Sequence, residues 1–197
     1  MKTFWAGVGL LTGLVLMLGL KLIRPYAFHG TVIEPAISAP EIDLTSTSGG
    51  RFSLAAGENK VTLVFFGYTS CPDVCPITLG EMRQLSEMLA EKSKDVQFVF
   101  VTIDPERDTL ERLQKYLAAF DPAFIGLTGN MADLSKVWNA YGITREVELT
   151  SSAAGVLISH SARLYLIDRQ DRLRLTYTFG TPVEDIQQDI LYLLKNE

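Results

Sequence analysis

A chain of 197 residues with 18 Lys and Arg against 23 Asp and Glu, net charge −5, and no basic cluster or basic–aromatic stripe is not built to hold nucleic acid. It is long enough for one well-buried domain and shows no internal repeats or low-complexity tracts. An Arg-rich, acid-poor organellar leader is absent too, so a bacterial envelope protein is the simplest class.

Thr3 to Leu20 carries no charge and is rich in Leu, Val and Gly, with Lys21 and Arg24 closing it. Roughly 18 to 20 apolar residues are enough to cross a bilayer as a helix. The small-residue exit of a cleaved signal peptide is missing, so residues 1–24 read as an uncleaved transmembrane anchor. Flanking charge alone does not orient it, since Lys2 and the amino terminus balance Lys21 and Arg24. Residues 25–40, with Pro25, Pro35 and Pro40 and no apolar period, read as a tether, and its His29 as solvated. Residues 41–197 form the domain.

Within the domain, Ile42 and Leu44, then Phe52 and Leu54, alternate about Ser48-Gly49-Gly50 and predict a short hairpin. Val61 to Phe66 is continuously apolar, the mark of a central strand buried on both faces. From Pro76 to about Glu91 the period becomes helical, with Leu79, Met82, Leu85 and Leu89 on one side. Val96 to Ile103 is a second strand, stopped by Asp104-Pro105. Asp108 has the form of an N-cap, with Glu111 at N3, for a helix lined by Leu110, Leu113, Leu117 and Phe120. A short strand at Phe124 to Leu127 precedes a helix capped by Asn130, whose inner face is Leu134, Val137, Trp138 and Tyr141. After a polar loop, Thr144 to Gly155, come strands at Val156 to Ser159, Arg163 to Ile167 and Leu173 to Phe179. A closing helix follows Thr181-Pro182, with Val183, Ile186, Ile190 and Leu193 inward. This order implies an α/β fold with a mixed sheet flanked by helices on both faces, whose strand-to-helix loops are where ligands usually bind.

Cys71 and Cys75 are the only cysteines, and they fall in such a loop, between the apolar strand and the first helix. There the helix dipole and free backbone N–H groups favour thiolate, which is both a nucleophile and a soft metal ligand. Three readings follow: a structural disulfide, dithiol–disulfide redox chemistry and a metal site. The first is weak, because so short a loop restrains little unfolded-state entropy. His160 is the sole histidine of the domain. By itself such a residue is more often structural or surface-exposed, but with two thiols it completes a Cys₂His set suited to Cu(I) or Cu(II). Zinc is the rival, although a structural zinc site normally takes four protein ligands.

The blocks Phe66 to Pro76 (FGYTSCPDVCP), Ile103 to Thr109 (IDPERDT), Gly126 to Gly129 (GLTG) and His160 to Asp168 (HSARLYLID) closely resemble the Sco/SenC family, over about residues 38 to 195. That resemblance implies a membrane-tethered copper chaperone with a thioredoxin-like fold. It implies copper ligation by Cys71, Cys75 and His160, and a redox-active disulfide between Cys71 and Cys75. One departure is Ser159, where the family usually has Asp before the histidine. The implied role is assembly of the binuclear copper centre of cytochrome c oxidase. The implied partners are its copper-centre subunit and other periplasmic copper carriers or thiol reductants. The implied location is the bacterial inner membrane, single-pass, with the domain in the periplasm.

The alternative is a thiol–disulfide reductase that keeps the oxidase cysteines reduced. A general thioredoxin-like enzyme is disfavoured by the extra residue between the cysteines and by the lack of any proline between Pro122 and Pro182. A thiol peroxidase would place Thr where Tyr68 stands. A passive scaffold would leave the thiols and His160 unexplained. Asp104 and Asp108 are at most partners behind the ligands.

Overall fold

The computed structural model describes residues 26–54, 59–149, 156–159 and 162–196. The expected anchor and His160 both lie outside the described residues, among which no helix is long and apolar enough to cross a membrane. In chain order come β1 (Thr31–Ser38), β2 (Asp43–Ser46), β3 (Arg51–Ser53), β4 (Val61–Gly67) and α1 (Val74–Leu89). A 3-10 turn (Ala90–Asp95) leads to β5 (Val96–Thr102), α2 (Leu110–Ala118), β6 (Ile125–Thr128) and α3 (Met131–Ala140). The remainder is β7 (Glu146–Leu149), β8 (Val156–Ser159), β9 (Arg163–Ile167), β10 (Arg172–Thr178) and α4 (Val183–Asn196).

Eight strands make one mixed sheet in the order β1-β10-β9-β4-β5-β6-β2-β3. β4, β5 and β6 are parallel, while β9 runs antiparallel to β4 and β10 antiparallel to β9. Every residue of β4 is buried, as expected of a strand covered on both sides. Successive side chains of a strand point to opposite faces, and Phe65 and Phe66 show what covers each. Phe65 meets Phe100 at 5.8 Å between ring centroids, and Phe100 meets Tyr116 of α2 at 6.4 Å. Phe66 meets Tyr141, at the end of α3, at 5.3 Å and Tyr165 at 5.6 Å. Thus α2 lies on the Phe65 face and α3 on the other. α1 and α4 pack together, and Ile186 of α4 shares a pocket with Phe65.

Four local expectations change. Residues 25–40 were expected as a tether, yet Thr31–Ser38 is a strand paired with β10. It is an edge strand with mostly exposed side chains, so burial leaves no alternation to read. His29 is not freely solvated: its Nδ1 stands 3.3 Å from the carboxylate of Asp185. The polar loop Thr144 to Gly155 contributes β7, which forms a separate two-stranded ribbon with β8. The N-cap of α2 is Thr109, whose side chain accepts the N–H of Arg112; Asp108 turns inward instead, and Leu110 is exposed. Asn130 caps α3 as its position predicts, accepting from the N–H of Asp133.

Candidate metal centre

The parallel strand β4 delivers the chain to the carboxyl edge of the sheet, and residues 68–73 turn it into α1. Asp73 is the N-cap of α1 but makes no side-chain cap bond. The sulfur of Cys71 takes over part of that role, accepting the N–H of Cys75 in the first helical turn at 3.4 Å. A first-turn N–H and the helix dipole both favour negative charge on that sulfur. The two cysteines are not joined in a disulfide; Cys75 is buried and Cys71 half-buried. The Cys75 thiol is pushed well above the ordinary thiol range, first by its hydrogen bond to Cys71 and then by burial. Cys71 is the sulfur within reach of solvent.

Gly67 is what gives Cys75 its room. A Cβ at Gly67 would stand 2.9 Å from the Cys75 sulfur and 2.9 Å from the Phe100 ring. Neither neighbour can retreat easily, since Cys75 and Phe100 are both buried in the core.

The loop is braced from behind by Asp108, which is fully buried. Its carboxylate accepts from Thr69 Oγ1 at 2.5 Å, from the Thr69 N–H at 3.1 Å and from Thr102 Oγ1 at 2.7 Å. Arg112 reaches over from α2, donating to Thr69 Oγ1 at 2.7 Å and to Ser70 Oγ at 2.8 Å. Burial raises the Asp108 carboxyl above its ordinary range, although the threonine hydrogen bonds oppose that. Asp104 is paired with Arg107, whose guanidinium lies 5.7 Å over the Tyr68 ring. Both aspartates are thus engaged behind the loop. Among the described residues no group of three or more His, Cys, Asp or Glu could hold a metal.

Tyr68 connects the loop to the other end of the chain. Its hydroxyl accepts the N–H of Ile158 in β8 at 3.2 Å, and its pKa is raised, chiefly by burial. Leu164 of β9 lies opposite Phe65 of β4. Residues on either side of His160 are therefore registered against the cysteine loop and the strand that feeds it. The sequence reading did not identify Gly67, Tyr68, Thr69, Thr102 or Arg112 as supports of the site. Asp108 had a visible signal, an acid beside a strand end, but the same pattern fits a helix cap.

A thiol pair at a strand-to-helix turn on this mixed sheet is the arrangement of the thioredoxin-like class. A model of the SCO1/SenC family matches residues 32–195. A SCO2-like protein of Rickettsia conorii is 33% identical over 195 residues, covering 97% of this chain and 91% of the relative. The structure of Bradyrhizobium japonicum ScoI with copper bound matches with TM-score 0.72 at 31% identity, covering 80% of this chain and 99% of that one. Apo Sco1 from Thermus thermophilus matches with TM-score 0.75 at 30% identity, over 85% of this chain and 98% of that one. The chain belongs to the SCO1/SenC family, and its domain has the thioredoxin-like Sco fold.

Proposed function

We propose that this protein is a membrane-anchored copper chaperone that carries copper on Cys71, Cys75 and His160 and helps assemble the binuclear copper centre of cytochrome c oxidase. The observation that carries this reading is the pair of unbridged cysteines at the start of α1, tied through Tyr68 to β8, the strand that leads into His160. Two adjacent thiolates are soft donors suited to Cu(I), and an added imidazole makes Cu(II) acceptable. Copper is the cargo, and this chain's part is to present the sulfurs, hold the loop still and release a proton from Cys75 on loading. ScoI of Bradyrhizobium japonicum, a structural relative, carries copper. The apolar segment Thr3 to Leu20 supports anchoring, and the family resemblance supports a periplasmic domain in the bacterial inner membrane.

A second reading, a thiol–disulfide reductase for the oxidase copper-site cysteines, is favoured by one feature. Cys71 is partly open while Cys75 is buried beneath it, the asymmetry of an attacking and a resolving thiol. A Cys71–Cys75 disulfide would remove two of the three ligands, so copper loading and oxidation exclude one another.

Metal analysis of the reduced full chain in detergent tests the leading reading, which requires one copper per chain. Tight binding of one copper by the Cys71→Ser, Cys75→Ser double variant would refute it. His160→Ala is expected to lose thiolate-to-Cu(II) charge-transfer absorption while keeping Cu(I). Meeting the partner separates the two readings: a chaperone passes copper and finishes as dithiol, whereas a reductase finishes as disulfide. A reporter fused after Glu197 that works only in the cytoplasm would overturn the localisation.

A further inference from the structure

Asp189, on the inner side of α4, is fully buried and gathers the segment that enters the domain. Its carboxylate accepts from Tyr26 Oη at 2.8 Å, from the N–H groups of His29 and Gly30 at 3.1 Å each, and from Tyr177 Oη at 3.0 Å. Tyr26 also stacks on Tyr192 with ring centroids 4.0 Å apart, and Phe28 meets Tyr192 edge-on at 5.4 Å. Gly30 is dictated by this packing, because a Cβ there would come 2.6 Å from the Tyr177 ring. Residues 26–30 are therefore fastened to α4 and β10 before β1 begins.

The topology fixes where on the domain this happens. β10 is antiparallel to β9, which is antiparallel to β4, so β10 runs the same way as β4 and ends at the cysteine edge. α4 starts there and runs away from that edge. His29 lies at Asp185 near its start, whereas Tyr26 lies at Asp189 and Tyr192, about 6 to 10 Å of helix rise further on. The chain thus enters well below the cysteines and climbs toward them. Only six peptide links separate Leu20 from Tyr26, a span of at most about 20 Å.

We propose that residues 26–30 are a clamp that seats the domain on the bilayer in one orientation, with the dithiol edge turned away from the lipid and the opposite edge turned toward it. This rests on the anchoring reading above. The opposite edge includes Lys94, where the chain enters β5, and the dithiol edge includes Glu106, just after β5 ends. Strand β5 separates those two edges by about 20 Å. The acceptor is then a membrane protein whose metal-receiving domain stands off the bilayer by a comparable height, not one that receives copper at the lipid surface.

The test uses the full chain, with Cys71→Ser and Cys75→Ser, reconstituted in phosphatidylethanolamine–phosphatidylglycerol vesicles that carry a headgroup quencher. A fluorophore is attached at Lys94→Cys in one sample and at Glu106→Cys in another. With edges about 20 Å apart, the Lys94 label is expected to be quenched more strongly than the Glu106 label. Tyr26→Ala is expected to abolish that difference while the thermal unfolding transition persists; Asp189→Ala should do the same wherever it stays folded. Equal quenching of the two labels in the chain with an intact clamp, or stronger quenching at Glu106, overturns the orientation while leaving anchoring intact. An undiminished difference in the folded Tyr26→Ala variant overturns the clamp as its cause. Failure of the chain to associate with vesicles defeats anchoring, and the orientation with it.

Discussion

Two fully buried carboxylates, Asp108 and Asp189, each organise a segment that regular secondary structure does not hold. Asp108 serves the loop of the cysteines. Its partners are the threonines 69 and 102, and the outer one is shared with the half-exposed Arg112. Asp189 serves the entry segment. Its partners are two tyrosine hydroxyls and two backbone N–H groups, enclosed by stacked rings. Charge-assisted hydrogen bonds are the strong ones, and buried donors left without an acceptor are costly. The difference lies in what can replace the carboxylate. Water can reach Thr69 and Ser70, whereas Tyr177 is buried and has nowhere else to turn. One aspartate holds a working loop that must stay accessible; the other closes a permanent joint.

The sharpest way to break that comparison is Asp189→Ala. With four donors losing one acceptor, unfolding free energy is expected to fall by about 4 kcal/mol. Chemical denaturation of the domain measures it, and amide exchange in Thr31–Ser38 should accelerate. Copper stoichiometry should not change, since no ligand depends on this joint. A loss below about 1 kcal/mol would mean that the tyrosines and N–H groups find water after all.

Asp108→Ala comes next, with an expected loss of about 2 to 3 kcal/mol, reduced by water at Thr69. Its distinguishing mark is at the site: Cys71 should react faster with a thiol reagent and copper should bind more weakly, because the loop is no longer braced. If Asp108→Ala and Asp189→Ala affected thiol reactivity equally, the division of labour between them would be wrong.

Gly67→Ala probes the same site from the core side. The added methyl meets the Cys75 sulfur and the Phe100 ring at 2.9 Å each, so overpacking should cost about 1 to 3 kcal/mol. Shortening Phe100 to Leu in the same chain should recover part of it, as expected when two changes share one space. Copper affinity should fall because Cys75 must move, while Cys71 keeps its position against the Cys75 N–H.

The sheet and the cysteine loop were legible because they rest on strong signals. β4 is apolar throughout, and α1 changes the period within a few residues of the thiols. What escaped was held by polar or exposed residues. β1 is an edge strand with a proline and little burial, so its pairing with β10 leaves no hydrophobic pattern. Glu146, Val147 and Glu148 in β7 are all exposed, which makes a ribbon look like a polar loop. Asp189 did leave a trace, an acid within the stripe of Ile186, Ile190 and Leu193 that faces inward. A charge in an apolar stripe needs a partner, but apart from Tyr177 its partners lie some 160 positions away in sequence, and no local pattern names them. Asp108 was read as a cap because Thr109, one position on, performs that function with the same local appearance.

The smallest expected effect is the pH dependence that Asp108 adds to stability. Burial holds its carboxyl above the ordinary value of about 3.9, so the folded state binds that proton more tightly than the unfolded chain does. A raised carboxyl contributes stability that is fully present below the ordinary value and is lost as pH rises through the folded value. Asp108→Asn removes this titration and leaves the other carboxylates in place. The stability of the unaltered chain relative to Asp108→Asn should therefore improve as pH is lowered from neutrality toward 4, with denaturant midpoints compared at each pH. The opposite trend would show that the bonds from Thr69 and Thr102 outweigh burial and hold the carboxylate charged. In that case Asp108 would brace the cysteine loop most firmly at neutral pH and slacken in acid.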